Sequence, residues 1–323
     1  VLAPGLGLFG VGDTARTAAI AAEIAETSVN VITAAESIGR FSPASRTEIF
    51  DLEYWEPETA KIKGGPAPPL QGRVALVTGG GSGIGAATAR AFKEAGAEIV
   101  ILDANAKAAE AVAKNMDGLG LVVDVTNPVA VRRAFKHVVS VYGGLDIVVS
   151  NAGAAWQGEI GMVPNSILRK SFELNFFAHQ TVAQNSVRVM GAQNSAGGTG
   201  GCILFNISKQ AVNPGRDFGP YGLPKAATLF LIRQYALDHG KDGIRTGGIN
   251  ADRIRSGLLT EKLITKRSMA REVSEREYMA GNLLGREVTA DDVAKAFLDL
   301  ALSPSTTGAV LNVDGGNIAA ALR

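Results

Sequence analysis

The apolar and polar positions divide the chain into two unlike stretches. From residue 73 onward, short β-branched runs alternate with alanine-rich stretches of helical period. The runs are RVALVTG (73–79), EIVILD (98–103), LGLVVDV (119–125), DIVVSNAG (146–153), GCILFNIS (201–208), GIRTGGIN (243–250) and AVLNVDGG (309–316). They are apolar without strict alternation, which predicts strands covered on both faces. The expected fold class is therefore α/β, a doubly wound parallel sheet of about seven strands with helices on each side.

Before residue 64 the pattern is helical only. Asp13 to Ile38 reads as an alanine-rich helix capped by Asp13 or Thr14, and Arg46 to Ile62 as a second, acidic helix carrying Tyr54 and Trp55. Neither can enclose a core alone, so 1–63 is predicted to be a short helical N-terminal appendage that packs on something else. GGPAPPLQG (64–72) separates the two stretches; its prolines and glycines cannot propagate a helix or a central strand, so it reads as a linker leading into a domain at 73–323.

Composition narrows the function classes. Of 323 residues, 46% are hydrophobic and 20% charged, enough apolar material for a sizeable core. A net charge of +1 gives no reason to expect nucleic acid or a membrane surface as partner. The single cysteine, Cys202, excludes a disulfide within the chain and points to a reducing, cytoplasmic compartment. VLAPGLGLFG lacks a basic start, so no signal peptide is expected, and no run reaches the roughly 18 apolar residues of a membrane span. His137, His179 and His239 have no partner at metal-ligand spacing; they are expected to be surface or packing residues, and no metal site is predicted.

TGGGSGIG (78–85) follows a strand and opens a helix. Gly79, Gly83 and Gly85 permit a tight turn and let a pyrophosphate approach backbone N–H groups at the helix start, with Ser82 and Ile84 between them. Asp103 ends the second strand, about 20 residues after Gly83, where a carboxylate accepts hydrogen bonds from an adenosine ribose and repels a 2′-phosphate. The loop offers no Arg or Lys to compensate, so the cofactor expected is NAD. The pattern is thus of the Rossmann type. Asp124 and Val125 are placed at the adenine edge, and Asn151, Ala152 and Gly153 along the carboxyl edge of the sheet.

Tyr221 and Lys225, in YGLPK, stand at i and i+4 near a helix start and share one face; Pro224 fits only in the first turn. A phenol has an ordinary pKa near 10, and a neighbouring ammonium stabilises the phenolate. Each of these features also arises for purely structural reasons. Their order along one chain is what carries weight.

With TGGGSGIG, the strand-end Asp103, SNAG, YGLPK and VDGG in order, residues 71–323 resemble the short-chain dehydrogenase/reductase family over their full length. The resemblance implies that Tyr221 is the acid/base and that Lys225 lowers its pKa and holds the ribose. It further implies that Asn175 holds a relay water, that Ser208 orients the substrate oxygen, and that Ile254 and Ser256 meet the nicotinamide carboxamide. Two departures stand out. Lys209 occupies the place of a customary second serine after Ser208, and Ala251 and Asp252 replace the Pro-Gly that usually follows Asn250. Arg253 and Arg255 beside them are either structural charge or a contact for an acidic substrate group.

PGLGLFGVGDTARTAA, DLEYWEPETAK, SKQAVNPG, NADRIRSGLL and GGNIAAALR add a narrower likeness, to the C-terminal part of bifunctional aldolase/short-chain dehydrogenases associated with rhamnulose-1-phosphate cleavage and lactaldehyde turnover. Residues 1–63 would then be the tail of an aldolase half whose zinc-binding histidines are not in this sequence. The expectation is an NAD-dependent oxidoreductase acting on a small alcohol, aldehyde or hydroxyketone, assembled as a homodimer or homotetramer. The alternative is a non-catalytic NAD-binding module or a structural partner of an aldolase.

Overall fold

The computed structural model describes residues 1–54 and 66–317, which divide into two compact units, 1–72 and 73–323. In the first unit a short hairpin, β1 (Leu2–Ala3) and β2 (Gly7–Leu8), precedes α1 (Ala15–Ile38) and α2 (Arg46–Glu53). The cap of α1 is Thr14: its hydroxyl accepts from Thr17 N at 3.1 Å and its own N–H donates to Thr17 Oγ1 at 3.0 Å. No residue of α1 is buried, and Ile20, Ile24, Val29, Val31 and Ile32 are exposed along it. By length and a mean hydropathy of 1.2 this helix meets the test for a membrane span, although Arg16, Glu23, Glu26 and Glu36 interrupt it. The predicted acidic helix reaches Glu53; its remaining positions from Trp55 to Ile62, and Gly64 and Gly65 of the predicted linker, lie outside the described residues.

The second unit is a seven-stranded, all-parallel sheet. Its strands are β3 (Val74–Thr78), β4 (Glu98–Asp103), β5 (Leu119–Val122), β6 (Ile147–Ser150), β7 (Gly201–Asn206), β8 (Ile244–Ala251) and β9 (Ala309–Val313). The spatial order is β5-β4-β3-β6-β7-β8-β9. The helices are α3 (Gly83–Glu94), α4 (Ala106–Lys114), α5 (Pro128–Tyr142), α6 (Asn165–Phe172), α7 (Ala178–Ser195), α8 (Gly219–His239), α9 (Glu261–Met269), α10 (Glu275–Met279) and α11 (Ala290–Ala301).

Central strands β3 and β6 are buried at every position, as their unbroken apolar runs predict. β5 differs. It is an edge strand, with Leu119 and Leu121 packed on the core, Gly120 against Ala109 and Ala113 of α4, and Val122 at its end 63% exposed. The predicted strand runs that overshoot do so into loops: β6 stops at Ser150 rather than Gly153, and β7 at Asn206 rather than Ser208. Those overshoots are where the chain leaves the sheet and makes the site.

The order reverses between β3 and β6. The chain winds outward through β4 and β5, then crosses back to β6 on the other side of β3. The loops after β3 and β6 therefore diverge above the sheet and leave a crevice at its carboxyl edge. Thr78 ties its two walls together, its Oγ1 accepting from Asn151 N at 2.9 Å and Ala152 N at 3.1 Å.

Candidate active site

A cavity of about 950 Å³ opens at this crevice, and Gly79, Asp103, Asn151, Gly153, Asn206 and Ser256 are among its lining residues. The glycines are required by geometry. Gly79 has φ +61°, and a Cβ there would lie 2.9 Å from Ala152 Cα. At Gly85 a Cβ would lie 2.1 Å from Gly79 O, and Gly83 has φ +51° with Ser256 Cβ 3.3 Å from where its own Cβ would be. Helix α3 starts at Gly83 with Ser82 as cap residue, yet the serine side chain makes no capping bond. The first N–H groups of α3 thus point at the cavity with no side-chain partner, which is the arrangement an anion needs.

Asp103 faces this turn. Its Oδ2 accepts from Gly81 N at 2.9 Å and its Oδ1 from Asn105 N at 2.9 Å. Asp124 and the mostly buried Val125 also line the cavity, and Asp124 accepts from Thr126 N at 2.9 Å. Asn151 crosses the crevice, its Nδ2 donating to Thr78 O at 3.0 Å and to Gly79 O at 3.2 Å. Its Oδ1 accepts from Asn206 Nδ2 at 2.8 Å. Ser256 lines the cavity, whereas Ile254 is buried beside it and does not.

On the other side of β6 the four residues of the proposed tetrad converge. Between α6 and α7 the helix widens into a π turn, Glu173–Phe177, and Asn175 sits in it, fully buried. Its amide clamps the loop after β6: Nδ2 donates to Ala154 O at 2.8 Å and to Ser171 Oγ at 3.1 Å, while Oδ1 accepts from Ala154 N at 3.3 Å. Its carbonyl accepts from Thr228 Oγ1 at 2.8 Å. The Asn175 side chain is therefore engaged by the Ala154 backbone and Ser171, while its backbone carbonyl accepts from Thr228.

Helix α8 begins at Gly219, earlier than the sequence suggests. Pro224 consequently falls in the second turn, where it cannot supply the i→i−4 bond to Pro220. Tyr221 and Lys225 share the inner face, 8% and 2% exposed. Lys225 Nζ donates to Asn206 O at 2.8 Å and lies 6.0 Å from the Tyr221 ring centre. Burial pulls the Lys225 ammonium down to about 7. Burial pushes the Tyr221 phenol up to about 12, opposed by a hydrogen bond with Ser208. No charge on Lys225 acts on the phenol in the free protein, because an amine lowered to about 7 is neutral where a phenol raised to about 12 titrates.

The two departures from the family pattern meet. Lys209 Nζ lies 3.7 Å from Asp252 Oδ2, both side chains mostly buried, so the lysine in the second-serine place is paired with the carboxylate in the glycine place. Arg253, at φ +53°, donates to Tyr278 O at 2.7 Å and stacks its guanidinium 5.0 Å above the Tyr278 ring. Arg255 is held by Glu261 and by Glu287, the latter at 2.6 Å. Both arginines are engaged by this chain's own groups. Residues not foreseen from the sequence also enter the cavity wall: Trp156, Lys170 and Glu173, with the Lys170 ammonium 5.7 Å from the Trp156 ring. Among the described residues no group of three His, Cys, Asp or Glu side chains is placed to hold a metal ion. Cys202 is buried in β7 and its thiol is pushed up to about 11.

The three histidines, expected to be surface or packing residues, sit in different settings. His137 is exposed and His239 lies 3.3 Å from Asp242, but His179 is buried with its Nε2 3.3 Å from Lys225 Nζ. One signal was available: His179 stands at i+4 from Asn175, the spacing that also relates Tyr221 to Lys225.

Comparison with known proteins agrees with this geometry. Residues 79–317 match the family profile described as enoyl-(acyl carrier protein) reductase, and residues 1–62 match aldolase class II, second domain. The chain is 32% identical over 257 residues to 7alpha-hydroxysteroid dehydrogenase of Escherichia coli K12, covering 77% of this chain and 95% of that protein. It is 31% identical over 253 residues to (+)-borneol dehydrogenase 1 of Salvia officinalis, covering 76% and 94%. The uncharacterized oxidoreductase YuxG of Bacillus subtilis is 29% identical over 345 residues and matches 100% of this chain; the chain spans 49% of that relative's length. Among solved structures, 3-ketoacyl-(acyl-carrier-protein) reductase of Brucella melitensis, complexed with NADH, superposes with a TM-score of 0.70 at 26% identity over 77% of this chain and 99% of that one.

Holding a buried ammonium carries a stability consequence with a definite sign. Lys225 has a folded pKa of about 7 against an unfolded value near 10.4, so between these the unfolded chain binds more protons and stability rises with pH. Below about 7 the penalty is fully present. Lys225→Met should therefore raise Tm relative to the parent protein more at pH about 6.5 than at pH about 9.5, measured by calorimetry in matched buffers. An equal difference at both pH values would show that the lysine is not desolvated.

Proposed function

We propose, from the premise that this chain belongs to the short-chain dehydrogenase/reductase family, that it is an NAD-dependent oxidoreductase of a small, uncharged alcohol, aldehyde or hydroxyketone. The observation that carries the reading is the convergence of Tyr221, Lys225, Ser208 and Asn175 beside a cavity whose glycine turn a single added Cβ would block. The residues fit a dinucleotide. The uncapped start of α3 suits its pyrophosphate, and Asp103 suits an adenosine ribose whose 2′-hydroxyl is free. Asp103 is the ground for preferring NAD, because a second anion beside it would be repelled and Gly80, Gly81 and Ser82 bring no cation.

The bound nicotinamide would supply the hydride acceptor in oxidation and the donor in reduction. The chain's own residues handle the proton and the oxygen. The Tyr221 phenol, protonated in the free protein, gives its proton to the carbonyl oxygen in reduction and takes it back as phenolate in oxidation. Ser208, hydrogen-bonded to the same phenol, holds the substrate oxygen in place. Lys225, when charged, favours the phenolate. Asn175 holds the Gly153–Ala154 backbone against Lys225, and its carbonyl can accept from a relay water as well as from Thr228.

Because Arg253 and Arg255 are already neutralised by this chain's own groups, they do not favour a phosphorylated or acidic substrate. Lactaldehyde agrees with that and with the aldolase-type residues 1–62. Oxidation to lactate would use the aldehyde hydrate, since the Cys202 thiol is buried and pushed up to about 11. In this reading the chain is the C-terminal part of a longer aldolase/dehydrogenase, in a cytoplasmic setting and as a dimer or tetramer.

Tyr221→Phe should lower kcat with lactaldehyde or a small diol by at least about a thousand-fold while the Kd for NAD⁺ stays within about three-fold, by stopped-flow and fluorescence titration. A variant that keeps turnover would remove the acid/base assignment, and a parent protein with no turnover on any alcohol or carbonyl would favour a binding module. Asp103→Ala should narrow the preference for NAD over NADP by about ten-fold or more, read as the ratio of kcat/KM values. An unchanged ratio would take the cofactor choice away from this carboxylate.

A further inference from the structure

Helix α7 sends a polar side chain into the space behind Tyr221 and Lys225 that the reaction as written does not use. His179 is 2% exposed, with Nδ1 2.6 Å from Ser150 Oγ and Nε2 3.3 Å from Lys225 Nζ. The groups around the pair come from every neighbouring element: Ser150 from β6, Phe205 and Asn206 from β7, Asn175 from the π turn and Tyr221 from α8. No carboxylate is among the causes that shift either His179 or Lys225.

While Lys225 is charged, donor and acceptor counting fixes the rest. A charged ammonium has three N–H donors and no lone pair. Asn206 O takes one at 2.8 Å. Toward His179 the ammonium can only donate, so Nε2 must carry the lone pair, the ring hydrogen must be on Nδ1, and Nδ1–H must donate to Ser150 Oγ. One ammonium N–H is then left for the cavity side.

We propose that His179 is a positioning residue, a neutral imidazole of fixed tautomer that pins the Lys225 ammonium so that its remaining N–H serves Tyr221 and the cofactor ribose. The proposal rests on the role given to Lys225 above. A packing residue of similar bulk would leave the ammonium one acceptor short in a buried space, which is expensive. Protonated histidine is excluded by the same contact, for it would set two cations 3.3 Å apart; burial and the Lys225 charge hold the imidazole well below its ordinary pKa.

The tautomer is directly observable without cofactor or substrate. The chain has three histidines, so a ¹⁵N-histidine-labelled protein gives few signals, and His179→Gln identifies one by its loss. At pH about 6, where Lys225 is charged, His179 should show a neutral ring with hydrogen on Nδ1. A ring protonated on Nε2, or one titrating near the free value of about 6.5, would overturn the proposal. Kinetics supply the functional half. His179→Phe keeps the bulk and removes the acceptor, whereas His179→Gln keeps an acceptor near the Nε2 position. For alcohol oxidation, His179→Phe should lower kcat by about ten-fold and move the acidic limb of its pH profile upward, and His179→Gln should restore most of both. Phe and Gln variants that behave alike would refute the positioning role. Tyr221→Phe in the same assay separates the two claims: if it stays active the acid/base reading fails, while the tautomer result stands or falls on its own.

Discussion

A primary amine held out of water is the constraint around which this site is built. Lys225 is 2% exposed, and burial alone lowers its pKa to about 7. An ammonium is tolerated there only because acceptors are fixed in advance, Asn206 O on β7 and His179 Nε2 on α7. The surrounding residues follow from that need. Gly153 must lack a side chain because a Cβ would come within 2.9 Å of Asn175 Oδ1 and 3.7 Å of the amine. Asn175 spends its amide on the Ala154 backbone, which keeps this loop next to the lysine. One turn before Lys225, burial raises the Tyr221 phenol to about 12, so in the free protein the phenol is an acid rather than a base.

The sheet supplies the second half of the arrangement. Reversal of strand order between β3 and β6 opens the crevice, and Thr78 and Asn151 stitch its two walls. A dinucleotide laid across that crevice would bring a charged ring toward the tyrosine–lysine pair, the term needed to offset desolvation. The same order places β7 next to β6, which puts Asn206 opposite Asn151.

Much of this was legible because it is written in local patterns. Glycine spacing in TGGGSGIG, the strand-end carboxylate at Asp103 and the i, i+4 pairing of Tyr221 with Lys225 each encode a backbone or face requirement that needs no tertiary knowledge. What stayed hidden depends on contacts between distant segments. Lys209 and Asp252 each look like an isolated departure until β7 and β8 bring them together as an ion pair. Arg253 and Arg255 look available until α9, α10 and the loop after them supply Tyr278, Glu261 and Glu287. Asp124–Val125 and Gly153 read as strand because apolar runs do not mark where a chain leaves the sheet. His179 stands at i+4 from Asn175, but only the facing of α7 and α8 brings its ring to Lys225.

The account turns on a phenol whose acidity is set by burial on one side and a cation on the other. An ultraviolet difference titration of the tyrosinate, parent protein minus Tyr221→Phe, isolates this one phenol from the other four tyrosines. Without cofactor the phenol should remain un-ionised up to about pH 10 or beyond, as its value of about 12 requires. With NAD⁺ bound its ionisation should fall by two units or more in the parent, and by clearly less in Lys225→Met. A phenol that titrates identically with and without NAD⁺, or identically with and without the lysine, would contradict the account.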